Sequence, residues 1–561
     1  MEPGTIIAIT QIAYDGAKQA VDLVLTAVHF PKECEGLFVQ LKLEQFRLQC
    51  WGRSAGLEQG RLLEVLHPIC SEIRNTLDRI CALFRNLDKL QSQFGIISAS
   101  IDAEKGQKEL SNRWNEELRK QGLTTSDKLH GDESLISKEQ QDFFPVGTFK
   151  VTLGNRLRWA LGSKSKFCRC VAELEKHITK LHQLLPERQS LQYQQDLTRI
   201  NIIIVGKATD EDTVDLLRHA LDGTHLMESS LRSLLDRKAV ATAPSMTNFL
   251  RGNPELDIEA YVVPQGFRNK DGFIATKKTS GELVYFEKKS WDDERSMTNR
   301  PKLQARLSRL VAMLRPGRST YLLKALGVAE DEDGKCWWMA FEIPPAVQSI
   351  DSLEILTLHQ RFGRGFFRLA PLESRFKLAF ALASAYSELF SSGWVHKNIN
   401  SLSIIYFGAK SDIRSPFVTG LEFSRQETED SNVDAATTPA VAQQLIYRHP
   451  DYIGTQATRY KTQYDIYSFG LLLIEVAFWQ PLKSVCPHVA TSPFWSAEAQ
   501  RVKSWALKVV AEQFAFRVGT VYTDVVRWCL ENGDANGQTQ EDWHPALAFN
   551  DYVVVPLAKL S

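Results

Sequence analysis

The feature that most constrains this chain is a change of hydrophobic period along its length. Residues 1 to about 195 repeat their apolar positions as helices do and are nearly free of strand signals, whereas the sequence from residue 256 onward alternates. One segment cannot serve both periods, so separate cores are expected. At 561 residues the chain is long enough for two to four domains, and its 43% hydrophobic content suffices to fill them. The expected division is an all-α helical bundle over 1–195, a helical brace or linker over 196–255, and an α+β domain over 256–561. Residues 123 to 147 interrupt the first block with a polar, Gly- and Ser-bearing stretch that reads as a long loop. In the linker, an apolar run from Ile200 to Val205 precedes an amphipathic segment carrying Leu216, Leu217, Leu221, Leu226, Leu231, Leu234 and Leu235.

Composition removes several function classes. Lys plus Arg equals Asp plus Glu at 67 each, so no global field draws the chain to nucleic acid. The nine cysteines are odd in number and scattered without C-x-x-C pairs, which suits a reducing compartment and gives a cytoplasmic expectation. No secretory signal or uninterrupted apolar run of about 18 residues is present.

The second block carries an ordered set of motifs. Leu283 to Lys289 alternates and ends in lysine; Trp394-Val395-His396-Lys397-Asn398 leads to Ser403-Ile404-Ile405; Tyr447-Arg448-His449-Pro450-Asp451 follows; Asp465-Ile466-Tyr467-Ser468-Phe469-Gly470 runs into Leu471-Leu472-Leu473-Ile474-Glu475. The set resembles a bilobal protein kinase, with Asp465 and Gly470 at the start of the central large-lobe helix. The resemblance implies that His396 marks the catalytic loop, that Asn398 stands where the base Asp belongs, and that Ser403 replaces the metal-binding Asn. A neutral amide takes up no proton at neutral pH, and a hydroxyl is a poor metal ligand. Gly420-Leu421-Glu422 takes the place of D-F-G, leaving Glu422 as a candidate metal carboxylate two residues out of register. Lys289 resembles the lysine that pairs nucleotide phosphates, but the helix from Lys302 to Leu314 offers Gln304, Arg306 and Arg309 and no acid. Segments around Gly266 and Gly272 do not make a G-x-G-x-x-G cradle. The expectation is a pseudokinase with no catalytic residue and no certain cofactor, ATP being the candidate without efficient magnesium-dependent transfer. Its nucleotide hinge would be Phe341-Glu342-Ile343. The alternative is an active atypical serine/threonine kinase in which Glu422 or Asp412 takes the metal and Lys288 or Lys289 the phosphates.

Thr5 to Val28 forms the other informative piece. Its only charges, Asp15, Lys18 and Asp22, fall within about 60° of one another on a helical wheel, beside Gln11. If helical, the segment spans about 36 Å, against a hydrocarbon core of about 30 Å. Three charges are costly for a lone helix in lipid, so membrane entry through Ile6, Ile7, Ile9, Ile12, Val21, Leu23, Val24 and Leu25 would need several copies around a polar axis. A buried bundle helix shows the same apolar majority.

This helix, followed by Arg47-Leu48-Gln49-Cys50-Trp51-Gly52 and by Arg158-Trp159-Ala160-Leu161 through Leu185-Pro186, resembles the HeLo domain of fungal prion-inhibition and heterokaryon-incompatibility proteins. Trp51-Gly52 also reads as an aromatic core contact beside a helix-ending glycine. The resemblance implies a membrane-permeabilising bundle, and its fusion to a kinase-like domain is similar to the necroptosis executioner. Expected partners are further copies of the chain on activation, membrane lipids and an unidentified upstream sensor or kinase, with relocation to the plasma membrane. Thr428, Ser431, Thr437 and Thr438 are candidate phosphorylation sites. The other alternative is a scaffold that binds only proteins.

Overall fold

The computed structural model describes residues 3–27, 35–84, 164–208, 210–222, 229–242, 255–291, 294–315, 320–344, 354–362, 370–408, 412–427, 445–452, 460–486, 495–531 and 545–561. Two compact units contain them. One comprises Met1–Lys207, Asp212–Glu228 and Thr539–Trp543, the other Ala208–Glu211, Ser229–Gln538 and His544–Ser561.

The described part of the first unit is helical: α1 (Pro3–Ala27), α2 (Glu35–Ser54), α3 (Cys70–Phe84), α4 (Lys164–Gln183), α5 (Glu187–Lys207) and α6 (Glu211–Leu221). Apolar residues three or four apart turn one stripe of each helix inward. Tyr14, Ala17 and Val21 of α1 meet Leu41, Leu48 and Trp51 of α2, with Ile73, Leu77 and Ile80 of α3 and Leu174, Ile178 and Leu181 of α4. Burying each of the larger side chains contributes about 1.5–3 kcal/mol. The expected boundary at residue 195 falls inside α5, because Leu197 and Ile200 still pack on this core. The stretch expected as one brace, 196–255, is therefore divided. Its first part belongs to α5 and α6, while α7 (Ser229–Thr242) belongs to the second unit.

In the second unit an antiparallel five-stranded sheet has the order β1-β2-β3-β5-β4, formed by β1 (Tyr261–Val262), β2 (Gly272–Lys277), β3 (Leu283–Ser290), β4 (Ala325–Asp331) and β5 (Cys336–Glu342). Between β3 and β4 the chain forms α8 (Arg300–Leu314), which packs on β4 and carries α7 on another side. Arg237 of α7 is buried and bonds to Glu388 of α9 (Leu372–Ser391) at 2.5 Å. The remainder is mainly helical, with a three-stranded sheet of β6 (Ile355–Thr357), β8 (Ile404–Phe407) and β9 (Phe417–Val418), and a pairing of β7 (Trp394–Val395) with β10 (Arg425–Gln426). At its centre lies α10 (Thr462–Phe478), buried along nearly its whole length. Its sequence explains this, since Leu471 to Ile474 and Val476 to Phe478 leave no polar face. Gly470 lets α11 (Ala515–Glu531) approach, for a β-carbon there would lie 2.9 Å from Cys529 Cβ.

Gly52 differs from its expected role. It lies inside α2, and the glycine in left-handed conformation beyond that helix is Gly56, at φ 87°. What position 52 requires is space, because a β-carbon would come 2.2 Å from the Tyr14 hydroxyl oxygen. Gly52→Ala should therefore lower the stability of the first unit by about 1–3 kcal/mol in chemical denaturation. Gly36→Ala, whose new carbon would meet Ala220 only at 3.5 Å, should stay within about 0.5 kcal/mol of the parent.

Candidate functional site

The loop after β7 is shaped by a carboxylate. Asp465, in the first turn of α10 and fully buried, accepts the backbone N–H of His396 at 2.5 Å, that of Lys397 at 2.9 Å and the Tyr460 hydroxyl at 2.6 Å. Burial pushes this carboxyl up to about 6, and the three donors hold it there against a larger rise. Lys397 takes φ 66° to place both amides on one carboxylate. His396 Nε2 lies 2.9 Å from the Thr419 carbonyl, and the Asn398 N–H reaches Nδ1 at 3.2 Å. A carbonyl only accepts, so Nε2 carries the hydrogen and Nδ1 is the acceptor. Burial lowers the ring to about 4 and keeps it neutral. With both nitrogens engaged by backbone, His396 braces the loop.

Asn398 is held in the same manner. Asn400 Nδ2 donates to its carbonyl at 3.0 Å and to its Oδ1 at 2.7 Å, while its own Nδ2 lies 3.4 Å from Glu422 Oε1. Asn400 Oδ1 accepts from the backbone of Leu402 and Ser403, and Ser403 Oγ donates back to the Asn400 carbonyl at 2.8 Å. Glu422 faces Glu287, whose Oε1 accepts the Leu421 N–H at 2.9 Å. Burial and the neighbouring Glu422 push the Glu287 carboxyl well up. Lys289 lies with Nζ 4.6 Å above the Phe423 ring. Lys289 and Glu422 are thus near one another, while Glu287, which sequence reasoning missed, occupies the contact with Leu421. An acid inside the aromatic run Tyr285-Phe286-Glu287 was its one visible signal.

Deeper in the unit, Glu475 Oε1 accepts from Ser401 Oγ at 3.1 Å, Tyr447 OH at 2.6 Å and Leu482 N at 2.7 Å. Its Oε2 meets no donor, and burial pushes the carboxyl up to about 7. The acids around this loop hold backbone and hydroxyl groups, and among the described residues no three His, Cys, Asp or Glu side chains group to hold a metal. Thr428, Ser431, Thr437 and Thr438 lie outside the described residues.

In the first unit, the Arg47 to Gly52 block joins four helices. Arg47 forks onto both Glu44 oxygens at 2.9 and 3.0 Å and donates to Tyr193 OH of α5 and Thr179 Oγ1 of α4, each at 3.1 Å. Trp51 Nε1 donates to the Leu181 carbonyl at 2.8 Å, and Gly52 receives Tyr14 of α1. Beyond α2, Glu58 accepts from the Tyr14 hydroxyl and from Lys18 Nζ, the latter at 2.9 Å. Asp22 accepts from Gln45. In the bundle, Lys18 and Asp22 of the α1 stripe have partners, and Asp15 is exposed beside Gln11 at 3.1 Å. Of the expected insertion residues, Ile12 is 69% exposed, Val21 is buried, and Ile9 and Leu25 are half-buried. The side chains of Ile6, Ile7, Leu23 and Val24 are outside the described set, as are Arg158 to Leu161. Among the described residues no helix is long and apolar enough to cross a membrane. The charges at the middle of α1 weigh against its length.

Residues 6–217 match the family model described as HeLo, prion-inhibition and propagation. This segment is a HeLo domain. It takes in α1 through α5 and most of α6, past the expected end at residue 195. The R-L-x-x-W-G block of this HeLo domain is the point where its helices are tied together. No curated protein matches the chain.

The Glu475 carboxyl yields a signed prediction. Its folded value of about 7 exceeds the usual 4.5, so the folded state binds the proton more tightly and stability from this group falls as pH rises between those values. Glu475→Gln removes that loss. Relative to the parent, the variant should gain about 2–3 kcal/mol in unfolding free energy between pH 5 and pH 8, measured by denaturant titration.

Proposed function

We propose that the chain is a cell-death or incompatibility effector in which a kinase-like unit without phosphotransfer chemistry governs a membrane-permeabilising HeLo domain. The kinase-like reading is supported by the order of parts in the second unit: a five-stranded antiparallel sheet with a helix between β3 and β4, then a loop gripped by Asp465 from a buried helix. The observation that carries its non-catalytic character is Asn398, an amide at the base position fastened by Asn400, beside a histidine with both nitrogens occupied. The HeLo match carries the membrane reading. In the resting bundle, Tyr14 and Lys18 clasp α1 to Glu58, and activation consists of freeing α1 so that several copies assemble with lipid. The signal comes from an upstream sensor, and the protein moves from cytoplasm to plasma membrane.

Removing the Glu58 carboxylate tests the clasp in the full-length protein. Glu58→Ala should raise dye release from anionic liposomes about tenfold, the factor given by about 1.4 kcal/mol of weakened restraint, and should expose α1 to protease. Faster proteolysis of α1 without added leakage would count against membrane action. Robust phosphate transfer by the unaltered protein would remove the non-catalytic part of the proposal.

A further inference from the structure

The geometry points to a cleft filled from within: Tyr285 and Glu287 stand where a nucleotide would enter the second unit, and the chain works without one. This inference rests on the kinase-like reading, and it concerns the purine and phosphate places that such a fold would offer.

Side chains of β3 alternate between two faces. Val284 and Phe286 join Tyr261, Phe273 and Trp338 in the core on one side of the five-stranded sheet. Tyr285, Glu287 and Lys289 take the other face, toward the loops and the three-stranded sheet. Tyr285 spans the gap between the two sheets. Its ring stacks on Phe341 with centroids 6.1 Å apart and planes at 29°, and meets Phe407 edge-on at 5.8 Å and 74°. Phe341 is the residue in register with Tyr285 on β5, where the strand ends and the expected hinge begins. A planar ring between these walls makes the contacts that a purine base would make. The Tyr285 hydroxyl points at Gly272 of β2, where a β-carbon would lie 2.6 Å away, so the absence of a side chain at 272 gives the ring its place. Tyr285 is 5% exposed.

The neighbouring position opposes phosphate binding. Glu287 uses the Leu421 N–H, a donor of the type that cradles anions, and faces the half-buried carboxylate of Glu422. Lys289 is placed over Phe423. A polyphosphate entering here would meet two carboxyl groups and displace a backbone hydrogen bond. The residues present do not fit magnesium-ATP.

The full-length protein tests this by thermal unfolding and calorimetry with three probes. Unaltered protein should show no shift and no heat with millimolar MgATP. Tyr285→Ala should unfold about 10 °C lower, regain about half of that with p-cresol, which replaces the lost ring, and respond to adenine. Tyr285→Leu serves the same comparison should the alanine variant not fold. Binding of MgATP by unaltered protein would overturn the filled cleft and leave the kinase-like reading standing. Recovery with p-cresol and none with adenine would show Tyr285 to be an ordinary core ring and would count against the kinase-like reading itself.

Discussion

One carboxylate, Asp465, fixes the second unit's central loop. It sits on a helix buried along nearly its whole length, where an unsatisfied ion would cost several kcal/mol, and it is satisfied by two consecutive backbone amides and a phenol. That requirement dictates the left-handed turn at Lys397 and the position of His396, which in turn reaches Thr419 and Asn398. None of these bonds involves the Asn398 side chain. The frame therefore rests on backbone atoms, and the Asn398 side chain takes no part in it. Asn400 and Ser403 close the remainder of the loop by capping each other.

The HeLo domain has a comparable hub in Arg47, Trp51 and Gly52. Arg47 and Trp51 bind atoms on α4 and α5, whereas α1 is held by the fit of Tyr14 on Gly52 and by the polar clasp at Glu58. Hydrogen bonds to a charged group contribute about 1.5–3 kcal/mol each, so loss of Glu58 loosens one helix while the rest of the hub persists. A restraint of that size can be overcome by binding or assembly. The core contacts of Ala13, Ala17 and Val21 with α3 and its neighbours set the larger part of the cost.

Periodicity made much of this legible in the sequence. The helical first block, the alternating strand at 283–289 and the largely apolar helix after Asp465 each reveal themselves through local pattern. Partners across the fold were not legible. A wheel placed Lys18 and Asp22 on one stripe but could not reveal Glu58 or Gln45 opposite them. Likewise, the kinase resemblance suggested Lys289 for the phosphate place, and nothing local indicates that Leu421, far along the chain, turns its N–H to Glu287. Trp51-Gly52 reads as an aromatic contact beside a helix-ending glycine, and only the approach of Tyr14 explains Gly52. The boundary at 195 was misplaced since the polar start of α5 hides the apolar residues that continue its packing.

On the reading proposed above, membrane activity resides in the HeLo domain, where Glu58 holds α1 until the second unit governs its release. Dye release from anionic liposomes by a fragment of residues 1–217 carrying Glu58→Ala, beside the unaltered full-length protein, is the deciding measurement. Leakage by the fragment with full-length protein silent is the predicted result, and a folded fragment that leaves the liposomes intact would contradict the account.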